Sequence, residues 1–314
     1  MRSRLVILLA VTIAIVAVTL TVSRFIPHSK PTPVAHAYLP PSAASYLGVY
    51  EAGAPPGYQP IAAFAQAAGK QPNLVAYYSG WAEPFATSFA EAVHRDRVSP
   101  VVQIDPTYAS VSSIAAGDYD SYLRSYADSV RDFRHGVVIG FGHEMNGPWY
   151  SWGYGHVAPS TFIAAWRHIV TLFRSEGADN VTWLWTINQD RYNTGPVASW
   201  WPGAGYVTWV GIDGYYVRPS DTFANVFGKT IDQVREFTHK PVLLSETAVG
   251  PEAGQFVGIN GLFGGMHQYN ALGLVWFDKN QNHGPLHQDW RIEGSPAAES
   301  AFQLGVAGLT LAHP

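Results

Sequence analysis

Short apolar runs alternate with helical patterns along this chain from residue 46 onward, and that alternation leaves few folds open. Eight runs read as strands: Tyr46–Tyr50, Leu74–Tyr78, Pro100–Ile104, Val137–Phe141, Val181–Thr186, Trp209–Ile212, Val242–Ser245 and Leu272–Phe277. Several are continuously apolar, as strands buried on both faces of a parallel sheet must be. Between them, Ile61–Ala68, Tyr119–Phe133, Thr161–Arg174, Ala224–Phe237 and Val257–Tyr269 carry helical spacing. Eight β–α alternations over about 270 residues predict one closed (β/α)8 barrel, an α/β fold of a single catalytic domain. An open doubly wound sheet is the competing topology. It would place a Gly-rich phosphate turn after the first strand, and none follows Tyr50. No internal repeat is evident.

Composition narrows the function. The chain is 47% hydrophobic, which suits a large core. Charged residues make up 13% of it, about half the usual share. A net charge of −4 gives no reason to expect nucleic acid as a partner. The absence of cysteine excludes disulfides, a thiolate nucleophile and a Cys metal site. Arg2 and Arg4 precede an apolar run from Leu5 to Val22. Residues 1–25 therefore read as an export signal or retained membrane anchor, with the body secreted or held outside the cell. Residues 26–44 hold five prolines and read as a linker, with the barrel expected over 45–314. A monomer is expected.

Polar residues cluster where the strands should end. Asp105 closes the third run, His143-Glu144 follows the fourth, and Asn188-Gln189-Asp190 follows the fifth. Asp213-Gly214-Tyr215-Tyr216 follows the sixth, Glu246 the seventh, and the eighth supplies Trp276 and Asp278. Barrels of this kind build their active sites at those ends. Retaining cleavage of a glycosidic bond needs two carboxyl groups about 5–5.5 Å apart, one protonated and one ionised. Glu144 and Glu246 are the candidates, and spacing alone does not say which is the acid and which the nucleophile. Trp149, Trp152 and Trp276 are candidate stacking platforms, Trp276 as a floor under the reacting sugar. Trp183 and Trp185 are expected to divide between lumen and helix layer, and Trp290 to act as a lid or packing element. His283 and His287 straddle Gly284-Pro285, and His143 has no second His at ligand spacing, so no metal is expected. No other cofactor is expected either. Asn180 heads a nominal glycosylation triplet.

The run His143-Glu144-Met145-Asn146-Gly147, with Trp149-Tyr150-Ser151-Trp152-Gly153, resembles the strand-four motif of glycoside hydrolase family 26. Asp213-Gly214-Tyr215, Ser245-Glu246 and Trp276 resemble its strand-six, strand-seven and strand-eight segments. The likeness extends over roughly residues 45–303. It implies a retaining (β/α)8 hydrolase acting on a β-linked polysaccharide, most commonly an endo-β-1,4-mannanase. Glu144 would be the acid/base and Glu246 the nucleophile. His143, Trp149 and Tyr215 would shape the subsite of the reacting sugar, with Asn188, Asp213 and Trp276 beside them. Many mannanases of the family carry an arginine three residues before the motif histidine, and Gly140 stands there in this chain. That departure leaves an endo-β-1,3-1,4-glucanase as the alternative; a sugar-binding barrel without activity is a separate one, which the presence of both carboxylates disfavours.

Overall fold

Eight parallel strands close on themselves in the computed structural model, which describes residues 39–190, 193–281, 283 and 288–312. In chain order they are β1 (Tyr46–Glu51), β2 (Leu74–Gly80), β3 (Ser99–Asp105), β4 (Val137–Phe141), β5 (Val181–Asn188), β6 (Trp209–Tyr216), β7 (Val242–Val249) and β8 (Gly273–Asp278). Each pairs with its sequence neighbour, and β1 pairs with β8 from Tyr46↔Gly273 to Glu51↔Asp278. The helices α1 (Gln59–Ala68), α2 (Thr87–Arg95), α3 (Val111–Ala116), α4 (Asp120–Phe133), α5 (Pro159–Ser175), α6 (Lys229–Arg235), α7 (Gln255–Gln268) and α8 (Pro296–Ala307) occupy the connections. The predicted barrel is the observed one. Helices α2, α3 and α8 lie outside the segments that the spacing marked as helical.

Strand periodicity sorts the core into two layers, because residues two apart share a face. Tyr46, Leu74, Val101, Val138, Leu184, Trp209, Leu243 and Val275 pack together inside the barrel. Their neighbours in sequence, such as Leu47, Val75, Val102 and Ile139, join the larger shell against the helices. Each such buried aliphatic side chain contributes about 2 kcal/mol of hydrophobic stabilisation. The expectation for Trp183 and Trp185 is corrected by the same rule. Both point outward, Trp183 against Phe173 and Trp185 against Trp201, and Leu184 between them fills the lumen.

The barrel also takes in more of the chain than expected. Leu39 is buried in the inner cluster, and the Tyr46 hydroxyl donates to the Pro40 carbonyl at 2.7 Å. Residues 39–44 thus belong to the body, not to a linker. The export or anchor segment expected over 1–25 lies outside the described residues. Among the described residues no helix is long and apolar enough to cross a membrane. The nominal glycosylation residue Asn180 is buried, and its side-chain amide donates to the Val130 and His135 carbonyls at 2.8 Å.

Candidate active site

The strand-four motif forms a tight turn directly after β4. Glu144 sits at φ 52°, in the left-handed region that a non-glycine residue occupies at a cost of about 1–2 kcal/mol. Four bonds hold it there. The Glu144 amide donates to the Thr186 carbonyl at 2.9 Å, and the Gly147 amide donates to the Glu144 carbonyl at 2.8 Å. Asn146, wholly buried, exchanges a pair of bonds with the Asn188 backbone at 2.8 and 2.9 Å. The turn is thereby pinned to β5, and its acid points into the barrel mouth. There the Asn188 side-chain amide donates to Glu144 Oε1, and Trp149 Nε1 donates to Oε2 at 2.6 Å.

Glu246 reaches the same mouth through an irregularity in β7. The pairing steps from Gly211↔Leu243 to Asp213↔Glu246, so three residues of β7 span two of β6. A bulge of this kind re-aims the strand's side chains. Ser245 and Glu246 consequently both turn inward: the Ser245 hydroxyl donates to Asp213 Oδ1 at 2.5 Å, and Glu246 accepts from the hydroxyls of Tyr78 and Tyr215. Glu144, Asn188, Asp213 and Glu246 then follow one another around the rim, Asn188↔Asp213 and Asp213↔Glu246 as register partners.

The charges at the rim are interdependent. Burial, then the Glu144 charge, raises Glu246 above the usual carboxylate range, while the two tyrosine hydroxyls and His143 pull it back. His143 donates or accepts at both ring nitrogens, 2.7 Å from Asp105 Oδ1 and 3.1 Å from the Tyr150 hydroxyl. Burial opposes its charge, but Asp105, Glu144 and Asp213 together push it up to about 10. A cationic imidazolium therefore stands among the acids at neutral pH. Asp213 is pushed well above the usual range, first by burial and then by Glu246 and Glu144.

A cleft of about 260 Å³ opens over this arrangement, lined by Tyr50, Tyr78, Asp105, His143, Tyr150, Glu246, Phe277, Lys279 and Gln281. Tyr50 and Phe277 stack at 4.7 Å and form one aromatic wall. Glu144 meets Asn188 and Trp149 here, Glu246 meets Tyr215, and His143 stands between Asp105 and Tyr150. Three expected contacts are corrected. Trp276 is wholly buried on the outer face of β8, packs edge-on against Phe302 of α8 and donates to the Trp290 carbonyl at 2.9 Å. Phe277, its neighbour in sequence, takes the inner position instead. Asp213 is 1% exposed, so it lies beneath the rim and touches Ser245 in place of a sugar. Trp152 is likewise no platform: it backs Tyr150 at 4.4 Å and donates to the His143 carbonyl. Trp290 is buried packing, 4.8 Å from the Tyr215 ring. His283 is exposed, and His287 lies outside the described residues.

Tyr50 and Tyr78 also line the cleft, although they are not among the residues expected at the strand ends. Both stand at the inward end of an apolar run, which is the signal that marks such residues. Gly140 acquires a physical reading too. A Cβ there would lie 1.9 Å from Gln103 Oε1, so Gln103 of β3 occupies the lumen space that a larger residue at 140 would need. Its amide nitrogen donates to the Thr186 hydroxyl at 2.8 Å.

A closed (β/α)8 barrel with two acids and an aromatic cleft at the C-terminal ends of its strands has the build of the barrel glycosidases. The family model for glycosyl hydrolase family 26 matches residues 89–279, and the chain belongs to that family. It is 28% identical over 271 residues to Endoglucanase H of Acetivibrio thermocellus, covering 81% of this chain and 29% of that protein. It is 33% identical over 106 residues to a mannan endo-1,4-beta-mannosidase of Caldalkalibacillus mannanilyticus, covering 31% of this chain and 20% of that protein. The chain thus spans less than a third of the length of either relative. Among solved structures, the catalytic domain of a Bacillus sp. JAMB-750 endo-beta-1,4-mannanase superposes with a TM-score of 0.66 at 15% identity, covering 86% of this chain and 87% of that one. A Bacillus subtilis mannanase gives 0.63 at 16% identity, covering 82% and 84%. At such identity these two structures speak for the fold.

Proposed function

We propose that this chain is a retaining, endo-acting glycoside hydrolase that cleaves β-1,4-mannosidic bonds by double displacement. The observation that carries the reading is the pair of acids at one rim, Glu246 held by two tyrosine hydroxyls and Glu144 by the Asn188 amide and the Trp149 ring nitrogen. Two hydroxyl donors and His143 oppose the rise that burial and Glu144 impose on Glu246, and so work toward the ionised form that attacks an anomeric carbon. Glu144 stands across the cleft as the group that protonates the departing oxygen and then activates water. Asn188 Oδ1, buried and without a donor among the described residues, supplies an acceptor for a sugar hydroxyl beside Glu144. Tyr50, Phe277 and the 42%-exposed Trp149 offer apolar faces to sugar rings. The mannosidase relative and the strand-four motif favour mannan. Mixed-linked β-1,3-1,4-glucan is a second reading, favoured by Gly140 with Gln103 in its space and by the endoglucanase relative.

The test is a reducing-end assay on glucomannan, galactomannan, lichenan and xylan, with the anomer of the first product followed by NMR. Mannan cleavage with initial β product supports the first reading, lichenan cleavage alone the second. Initial α product excludes double displacement on either polymer.

Tyr78→Phe and Tyr215→Phe test the surroundings of Glu246 separately. Each removes one hydroxyl donor from the carboxylate, and each is expected to lower kcat/KM by about 10- to 100-fold, the worth of one hydrogen bond to a charge. The acid limb of the pH profile should move upward, because Glu246 then ionises less readily. An acid limb unmoved in both variants excludes Glu246 as the group that titrates there.

A further inference from the structure

A second cavity, of about 480 Å³, lies between the segment that leads from β2 into α2 and one face of α4. It shares no lining residue with the catalytic cleft. Helices of such a barrel run back from the C-terminal ends of the strands, so the start of α4 and residues 81–86 both stand at the active end. Trp81, three residues beyond Tyr78 of the cleft, packs against the rings of Tyr119 at 5.3 Å and Tyr122 at 5.1 Å. The Tyr122 hydroxyl donates to the Glu83 carbonyl at 3.0 Å and ties the helix to the loop. Both tyrosines are half-buried and turn part of each ring to the cavity. Ser121, Ser125 and Ser129 recur every four residues on the same face of α4, over a length of about 12 Å. Asp118 closes that row at the end nearest the barrel mouth.

We infer that this groove is a second glycan-binding site, which takes a neutral stretch of the same β-linked polymer that the cleft cleaves. Its lining has the make-up of a sugar site: aromatic faces for the apolar side of a ring, with hydroxyls and one carboxylate for the ring's own hydroxyls. No Lys or Arg lines it, so an anionic ligand would meet Asp118 without a counter-charge. A separate observation points to a ligand. Tyr126 opens to the cavity yet is 1% exposed, and its hydroxyl, with those of Tyr77 and Ser79 buried beside it, is in bonding geometry with no partner among the described residues. Buried hydroxyls are normally satisfied, and a polyol in the groove would supply the missing partner. The length of the serine row suits a disaccharide. Because the groove begins beside the rim that carries Tyr78, one polymer chain could lie in the cleft while another stretch of it rests here. The identity of the sugar rests on the proposed function; the chemistry of the groove does not.

The experiment compares the full chain with Ser125→Trp, which fills the groove from an exposed helix position, and with Asp118→Ala. Asp118→Ala, at an exposed position before α4, carries the test if the tryptophan perturbs the helix. Turnover of a dinitrophenyl glycoside, which the cleft alone holds, should stay within about twofold of wild type. On the preferred polymer KM should rise about 3- to 10-fold at unchanged kcat, because a chain held at two places gains from effective concentration. In native gels containing glucomannan, galactomannan, lichenan or xylan, Glu246→Ala should be retarded, and adding Ser125→Trp should weaken that retardation by a like factor. Polymer KM and retardation unchanged in both variants overturn the groove and leave the glycosidase reading intact. An equal loss on aryl glycoside and polymer overturns it too, since the substitution then acts through the cleft. A protein that cleaves none of the polymers sinks the glycosidase reading, and the gels still decide the groove: retardation lost in Ser125→Trp supports it, and no retardation overturns it.

Discussion

Glu246→Ala is expected to lower kcat on the preferred polymer by about 10⁴-fold or more while oligosaccharide still binds. Without this carboxylate no covalent glycosyl–enzyme intermediate can form, and the hydroxyls of Tyr78 and Tyr215 lose their common acceptor. The fold should survive, since the substitution removes a carboxyl group that burial already disfavours as a charge. The truncated side chain leaves room below the anomeric carbon for a small anion. With an aryl glycoside that needs no acid assistance, added azide should restore turnover and give the α-glycosyl azide, because it attacks from the face Glu246 has vacated. Wild-type turnover by Glu246→Ala, or rescue that gives the β-azide, would show that the nucleophile is elsewhere.

Glu144→Gln should separate the two half-reactions. The amide fills the same space, but its single oxygen can accept from only one of Asn188 and Trp149, and it cannot give up a proton. Polymer hydrolysis, which expels a sugar alkoxide, is expected to fall by about 10³- to 10⁴-fold. A dinitrophenyl glycoside has a leaving group that departs unaided, so its first step should stay close to the wild-type rate. Water must then attack the intermediate without a general base. The result is a burst of dinitrophenol followed by slow turnover, with the basic limb of the pH profile gone. An equal loss on polymer and aryl substrate, with no burst, would place the acid elsewhere. The surroundings of Glu144 sharpen the expectation: its backbone is held at positive φ by bonds that do not involve its carboxyl, so the substitution leaves the turn in place.

The legible parts of this protein are those written in short range. An apolar run of four to six residues reports a buried strand by itself, and a polar residue directly after it reports the barrel's active end. Glu144, Glu246, His143 and Asn188 were found in that way, and Trp149 and Tyr215 by their nearness to such ends. The failures share a cause. Trp276 and Phe277 are adjacent and both aromatic, and only the phase of the strand decides which one faces the sugar. That phase is set by the pairing of Val49 with Trp276, residues more than two hundred positions apart. Asp213 looked like a sugar ligand because its strand end was known while its depth was not.

The sequence by itself determined the number and order of the strands, hence the barrel, and the two acids at its rim, since periodicity and strand ends are local properties of the backbone. Tertiary structure alone decided the extra residue in β7 that swings Glu246 inward, the tyrosine from β2 that meets it, the glutamine that fills the space over Gly140, and the groove where the segment after β2 meets α4. Each of these depends on which strands become neighbours when the sheet closes, and closure is a property of the whole ring that no single segment encodes.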